Sequence, residues 1–360
     1  MATKKTKNKQ HRPFYTVIIP CYNTKPDYMS VLLNSLTHQG IDNDDLEVII
    51  SDDCSSDLSY KAVVEDFKNR GMHIKETSTK PEAVHCPGNN RENGVQLATG
   101  EWIVFADHDD LFTDNAFANI RVAIEAAKEE YFVAANFAEV DPYDLSKVIR
   151  TYVHTQNWMH VKFYNLDNFW KAKNFHFVKD LMSHEDIAVS SKTHCELYRI
   201  GRKNPLFVDI IAYLWRAHPD SESRKPLGLN GFIEEYFDDY LASTGGVYIK
   251  DYYEYLENPI VSQEDHRLSH LRLAIDVILY MYFYIQAFKF NTPGEYKLKN
   301  EFTAKEYIRK VVEVFNTNRE FIYDQVSENS AYWYNAVRES AIIGTGAMVE
   351  IDSFKDFLYK

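Results

Sequence analysis

Asp107, Asp109 and Asp110 place three carboxylates within four positions, directly after the apolar run Trp102–Ala106 (WIVFA). Acids this close repel unless a cation or a set of donors shares the site. An all-oxygen ligand set selects a hard divalent ion, so Mg2+ or Mn2+ bridging to substrate phosphates is the chemistry such a cluster serves. The competing reading makes Asp109 or Asp110 a cap for the helix that begins near Asn115.

A second acidic pair, Asp52-Asp53, ends another apolar run, and Ser56 or Asp57 behind it is placed to cap the following helix. Pro20-Cys21-Tyr22-Asn23 ends a third, where the proline stops the ladder and Tyr22 offers a ring. Glu185-Asp186 and His218 add two acids and an imidazole farther along. Taken alone, that acid pair reads as the first turn of a helix running toward Cys195, and the histidine as an ordinary residue beside a proline.

Secondary structure has to bring these residues to one edge. From Phe14 to about Val140, short β-branched runs alternate with amphipathic helical stretches, the mark of βαβ units and a mainly parallel sheet. The pattern predicts strands at Thr16–Ile19, Leu46–Ile50, His73–Glu76, Trp102–Ala106 and Phe132–Asn136, with a further strand-like run at Leu206–Ala212. It predicts helices around Tyr28–Thr37, Leu58–Asn69, Arg91–Ala98 and Asn115–Lys128, two of them closed by Gly71 and Gly100. In such sheets ligands collect beyond the carboxyl ends of the strands, which is where the polar residues above fall. From Asp141 to about Lys225, segments rich in Tyr, Trp and Phe suit loops that hold a substrate. From Pro226 onward the pattern is helical, near Phe232–Leu241, His266–Phe288, Ala304–Phe315 and Glu320–Val337.

Composition removes several classes. A net charge of −13 opposes wrapping by nucleic acid or adhesion to an anionic membrane. Lys4, Lys5, Lys7, Lys9 and Arg12 form a basic arm, read first as a solvated tail and second as a contact for a membrane surface or acceptor. Cys21, Cys54, Cys86 and Cys195 lie far apart with no C-x-x-C pair and no leader sequence, which argues against a zinc site or disulfide framework and for a reducing cytoplasm. The most apolar helical stretch, Leu271–Phe290, carries Arg272, Asp276, Gln286 and Lys289, so it reads as a buried helix rather than a membrane span.

The motifs in their order resemble the family 2 glycosyltransferases of the GT-A fold. The matching segments are Val17-Ile18-Ile19-Pro20-Cys21-Tyr22-Asn23, Ile49-Ile50-Ser51-Asp52-Asp53-Cys54-Ser55-Ser56-Asp57, Asn90-Arg91-Glu92-Asn93-Gly94 with Ala98-Thr99-Gly100-Glu101-Trp102-Ile103, and Phe105-Ala106-Asp107-His108-Asp109-Asp110. Glu92 departs from the family's usual Asn. Met182-Ser183-His184-Glu185-Asp186 resembles the family's E-D motif, and Tyr213-Leu214-Trp215-Arg216-Ala217-His218 with Ser221 its Y-x-x-R-x-H-x-x-S segment.

The resemblance implies an α/β, GT-A (Rossmann-like) mixed, mainly parallel sheet flanked by helices, with a helical C-terminal domain. It implies a basic tail over 1–13, a catalytic domain over 14–225 (nucleotide-binding half 14–112, acceptor half 113–225), and the helical domain over 226–360. Pro20, Tyr22, Asn23, Asp53, Asn90, Arg91 and Asp107 would bind a UDP-sugar, with Asp53 on the base, Arg91 on the diphosphate side and Asp107 on the ribose. Asp109 would hold Mn2+ or Mg2+ with help from His218, and Asp186, beside Glu185, would be the general base of an inverting transfer. The acceptor would be a hydroxyl of a cell-surface glycan, teichoic-acid-type polymer or glycoprotein. The protein would work in the cytoplasm or at the inner membrane face, without nucleic acid or a transmembrane segment; its C-terminal helices would serve packing first and self-association second.

Two alternatives stand beside this reading. Another nucleotide-dependent transferase would show a Gly-rich basic phosphate loop after the first strand, and Pro20–Asn23 is not one. A non-catalytic glycan-binding or scaffold protein would have no need for Asp109, Asp186 and His218 together.

Overall fold

The computed structural model describes residues 11–154, 159–202, 204–219 and 246–257, together with 239, 243, 313 and 317. They fall into two compact units, one within Met1–Leu181 and Asn204–Ser221, the other within Met182–Lys203 and Glu222–Lys360.

The first unit is built on a mixed sheet. Its strands are β1 (Tyr15–Cys21), β2 (Leu46–Asp52), β3 (Ile74–Ser78), β4 (Trp102–Phe105), β5 (Leu111–Phe112), β6 (Phe132–Val140), β7 (Val148–Tyr152), β8 (Lys162–Asn165) and β9 (Leu206–Arg216). The order is β3-β2-β1-β4-β8-β6-β9-β5, with β7 paired to β6. β3, β2, β1 and β4 are mutually parallel, and β6 runs parallel to β9; antiparallel β8 joins β4 to β6.

Every residue of β1 and β2 is buried, as expected for strands covered on both faces. Helix α1 (Pro26–Leu36) buries Met29, Leu32, Leu33 and Leu36, a stripe at spacings of three and four that fixes which side faces the sheet. Each such side chain contributes about 1.5–3 kcal/mol on burial. The remaining helices of the unit are α2 (Lys61–Asn69), α3 (Pro87–Leu97) and α4 (Ala116–Ala127). Both α1 and α3 begin with a proline in the first turn, where its missing N–H costs nothing.

Gly71 follows α2 with φ +95°, a conformation that favours glycine. Gly100 acts differently from the predicted stop signal: a Cβ there would lie 2.5 Å from Thr16 Oγ1 and 2.9 Å from the Thr16 backbone nitrogen, so its role is close approach to β1. The predicted caps also differ. Tyr60, not Ser56 or Asp57, precedes α2, and Asn115 precedes α4 in the left-handed region at φ +58°; neither helix takes a side-chain cap.

Many aromatics after Asp141 build core. Tyr164, Phe169, Trp170, Phe175 and Phe177 are buried, and Phe105 at the end of β4 meets Trp170 at 5.6 Å and Phe177 at 5.4 Å. That cluster fastens residues 166–177 beneath the functional edge of the sheet.

The second unit contains α5 (Glu185–Arg199) and α6 (Val247–Glu257), which pack together. Arg199 pairs with Glu196 at 2.9 Å and with Asp251 of α6. The helices predicted at Phe232–Leu241, His266–Phe288, Ala304–Phe315 and Glu320–Val337 lie outside the described residues, apart from single positions, as does Ser221. Among the described residues no helix is long and apolar enough to cross a membrane.

Candidate functional site

The carboxyl ends of β1, β2 and β4 gather the predicted residues of the first unit. Pro20 is buried in β1, while the Tyr22 ring is 60% exposed at the edge, available for a flat ligand to stack on. Asn23 plays a structural part, because its Oδ1 accepts hydrogen bonds from Ser56 N (2.9 Å), Ser56 Oγ (3.1 Å) and Asp57 N (3.0 Å) and so clips the β2–α2 loop. The Asp52-Asp53 pair needs no cation. Asp52 is satisfied by Ser55 N (2.9 Å), Ser55 Oγ (2.5 Å) and Tyr60 OH (3.0 Å). Asp53 meets His85 Nδ1 at 3.0 Å through one oxygen, a contact that raises the His85 pKa.

One turn of α3 ties these strand ends together. Asn89 Nδ2 donates to Asp180 Oδ1 (2.9 Å), Asn90 Nδ2 to Cys21 O (3.4 Å), Arg91 Nη2 to Asp107 Oδ1 (2.7 Å) and Asn93 Nδ2 to Thr79 Oγ1 (3.2 Å). Glu92, where the resemblance calls for Asn, meets His176 Nδ1 at 3.0 Å and accepts from Phe177 N at 3.3 Å, and so holds the 174–177 segment. The helix lies this close to β1 because Gly94 has no side chain: a Cβ there would fall 2.5 Å from Ile18 Cγ2. Asn90 Oδ1 is buried without a hydrogen-bond partner among the described residues.

The three acids after β4 have three environments. Burial pushes the Asp107 carboxyl up, but Arg91, His160 and His108 outweigh it and hold its pKa below the ordinary value. Asp110 is 1% exposed and accepts from Tyr213 OH (3.0 Å) and Arg216 N (2.7 Å) of β9. Burial, then the charges of Asp109 and Asp107, push its pKa well above the usual carboxylate range. Asp110 is therefore an anchor for β9 rather than a helix cap, and leaving its two donors unpaired would cost about 1–3 kcal/mol each. The Asp109 side chain has no hydrogen bond or ion pair among the described residues.

His218 lies next to Asp109. It is 4% exposed, its Nδ1 shares a 3.2 Å hydrogen bond with Tyr28 OH, and its Nε2 is buried with no partner among the described residues. Burial lowers its pKa, and the Asp109 charge is the first opposing influence. A bare imidazole nitrogen beside an uncommitted carboxylate is a set of donors that a divalent cation would fit. Asp107, Asp110 and His160 also bring ligand atoms within 4.8 Å of one another. There, however, Arg91 and the β9 donors already engage both acids, so Asp109 and His218 are the better pair.

The sequence placed Tyr213 and Arg216 in the segment quoted for His218 without giving them a role, and it did not single out His160 or Lys162. Arg216 donates through Nε to Asp109 O and lies over the Tyr28 ring at 4.9 Å. His160 stacks on Tyr213 at 5.1 Å, and burial pushes its pKa down to about 4. Lys162 is fully buried on β8 with one bond, to His160 O at 3.3 Å, and burial lowers its pKa to about 7.

Glu185 and Asp186 belong to the second unit and form the first turn of α5, the position where acids meet the positive end of the helix dipole. Glu185 is buried and Asp186 half-buried. Just before them, His184 sits at φ +60°, and the Met182 and Ser183 amides donate to Asp239 Oδ2 at 2.9 and 3.0 Å.

Residues 16–183 match the family described as Glycosyl transferase family 2. A stretch of 97 residues is 34% identical to poly(ribitol-phosphate) beta-N-acetylglucosaminyltransferase TarS of Staphylococcus aureus, covering 27% of this chain and 16% of that protein. A stretch of 101 residues is 31% identical to poly(ribitol-phosphate) beta-glucosyltransferase of Bacillus spizizenii, covering 28% and 16% respectively. The matched stretch thus spans less than a fifth of either relative. The solved structure of S. aureus TarS 1-349 in complex with UDP-GlcNAc aligns at a TM-score of 0.61 with 17% identity, over 95% of this chain and 92% of that one. At that identity the likeness is one of fold.

Proposed function

From the premise that residues 16–183 are a domain of glycosyl transferase family 2, we propose that this chain transfers a sugar, with inversion, from a UDP-sugar to a hydroxyl of a teichoic-acid-type polymer. The single observation that carries the reading is the bare, buried His218 Nε2 beside Asp109, at the strand edge where Arg91 pairs with Asp107. The donor class is supported by the UDP-GlcNAc held by the structural relative. The acceptor class is supported by the poly(ribitol-phosphate) named for two sequence relatives. The wide spacing of the cysteines supports a reducing cytoplasm as the compartment.

In this reading the nucleoside lies against Tyr22 beside Pro20, with the free oxygen of Asp53 turned to the base and Asp107 to the ribose. Asn23 and Asn90 shape the pocket wall. Arg91 keeps Asp107 ionised and faces the diphosphate. Mn2+ or Mg2+, when bound to Asp109 and His218, neutralises charge on the leaving diphosphate. Asp186 takes the proton of the acceptor hydroxyl as its oxygen attacks the anomeric carbon from the face opposite UDP, and Glu185 sets its neighbourhood.

The test is UDP release from UDP-GlcNAc and other UDP-sugars with poly(ribitol phosphate) and Mn2+. Activity should require the cation. Asp186→Asn should leave UDP binding within about twofold and lower transfer by about 10^2 to 10^4. Equal losses of binding and transfer would sink the assignment of the base.

A further inference from the structure

The structure assigns Tyr28 as a positioning residue that holds His218 in the tautomer and orientation able to take a cation; the inference rests on the cation site proposed above. Tyr28 is in the first turn of α1, distant in sequence from the segment that carries His218. Its hydroxyl is 3.2 Å from His218 Nδ1 and the two rings lie 4.5 Å apart at 31°. Arg216 lies over the same ring at 4.9 Å, so the residue that grips the Asp109 backbone shares this support.

The hydrogen-bond geometry leaves two tautomers. With the proton on Nε2, a buried N–H would make no well-formed hydrogen bond among the described residues, an unfavourable state for a donor removed from water. With the proton on Nδ1, Tyr28 Oη accepts it and Nε2 presents a lone pair. Lys25 Nζ donates to the same hydroxyl at 3.5 Å, using one acceptor site of the oxygen. The surroundings of Nε2 therefore favour the Nδ1–H form, the arrangement in which a second group orients a metal-ligating histidine.

Mn2+ binding to the full chain at saturating UDP, followed by electron paramagnetic resonance, tests this without any turnover. Tyr28→Phe keeps the ring under His218 and Arg216 and removes only the hydroxyl. It should weaken Mn2+ binding about tenfold while the thermal midpoint stays near that of the parent. His218→Ala should weaken it at least as much, and Tyr28→Phe should add nothing in the His218→Ala background, because Tyr28 acts through that imidazole. Unchanged Mn2+ affinity in Tyr28→Phe, or a further loss in the double variant, would overturn the role of Tyr28 alone. Absence of Mn2+ binding by the parent chain would instead remove the cation reading, and this inference with it.

Discussion

Two strand ends in the same sheet carry adjacent aspartates, and they are built to opposite purposes. At the end of β2, Ser55 and Tyr60 satisfy Asp52 and a half-exposed histidine meets Asp53; the groups around the acids are neutral donors and one imidazole. At the end of β4 the acids lie beside buried cationic groups: Arg91 and Arg216 are 7% and 6% exposed. Even so, Asp109 and His218 Nε2 are left unmatched among the described residues. Acid density alone does not mark a cation site. The proposed cation site rests instead on the imbalance that remains after the local donors are assigned.

Exchanging acids at the two ends should separate them. The largest effect is expected for Asp109→Ala: Mn2+-stimulated UDP release should fall about a thousandfold, roughly 4 kcal/mol of barrier, with secondary structure by circular dichroism unchanged. Retained cation dependence in that variant would break the contrast. Lys162→Met removes a separate buried cation, on β8. The folded pKa of Lys162 is depressed to about 7 from an ordinary 10.5. Between those values the unfolded chain holds the extra proton, so stability rises with pH across the window and the penalty is greatest below pH 7. The substitution should therefore stabilise the protein by about 1–4 kcal/mol in urea titrations at pH 6, with the gain shrinking toward pH 10. The smallest change is expected at the other strand end: Asp52→Ala should cost about 1–3 kcal/mol of stability, yet leave the Mn2+ dependence of UDP release as it was.

Much of the region from β1 to α4 was legible because its strands are continuous apolar runs and its helices repeat at three and four residues. The strands at β1, β2 and β4 and helices α1, α3 and α4 fall within two to four residues of expectation. β8 escaped notice because Lys162 opens it, and a lysine in a four-residue strand looks like solvent until the fold encloses it. β5 has two residues and no period to detect. The polar positions were readable as residue types but not as roles. Asn23 and Asp110 sit in the right motifs, and only three-dimensional partners reveal that one clips a loop and the other anchors β9. Tyr28 carried no local signal, since its partner lies 190 positions away.

The turn of α3 from Asn89 to Asn93 has a consequence for anyone altering donor choice. Five consecutive side chains answer to five different parts of the first unit, at Asp180, Cys21, Asp107, His176 and Thr79. A library randomised over this turn would return mostly misfolded clones, since each position has its own separate obligation. Diversity directed instead at Tyr22 and the half-exposed His85 leaves that framework untouched, so under the proposed function new sugar nucleotides are best sought there.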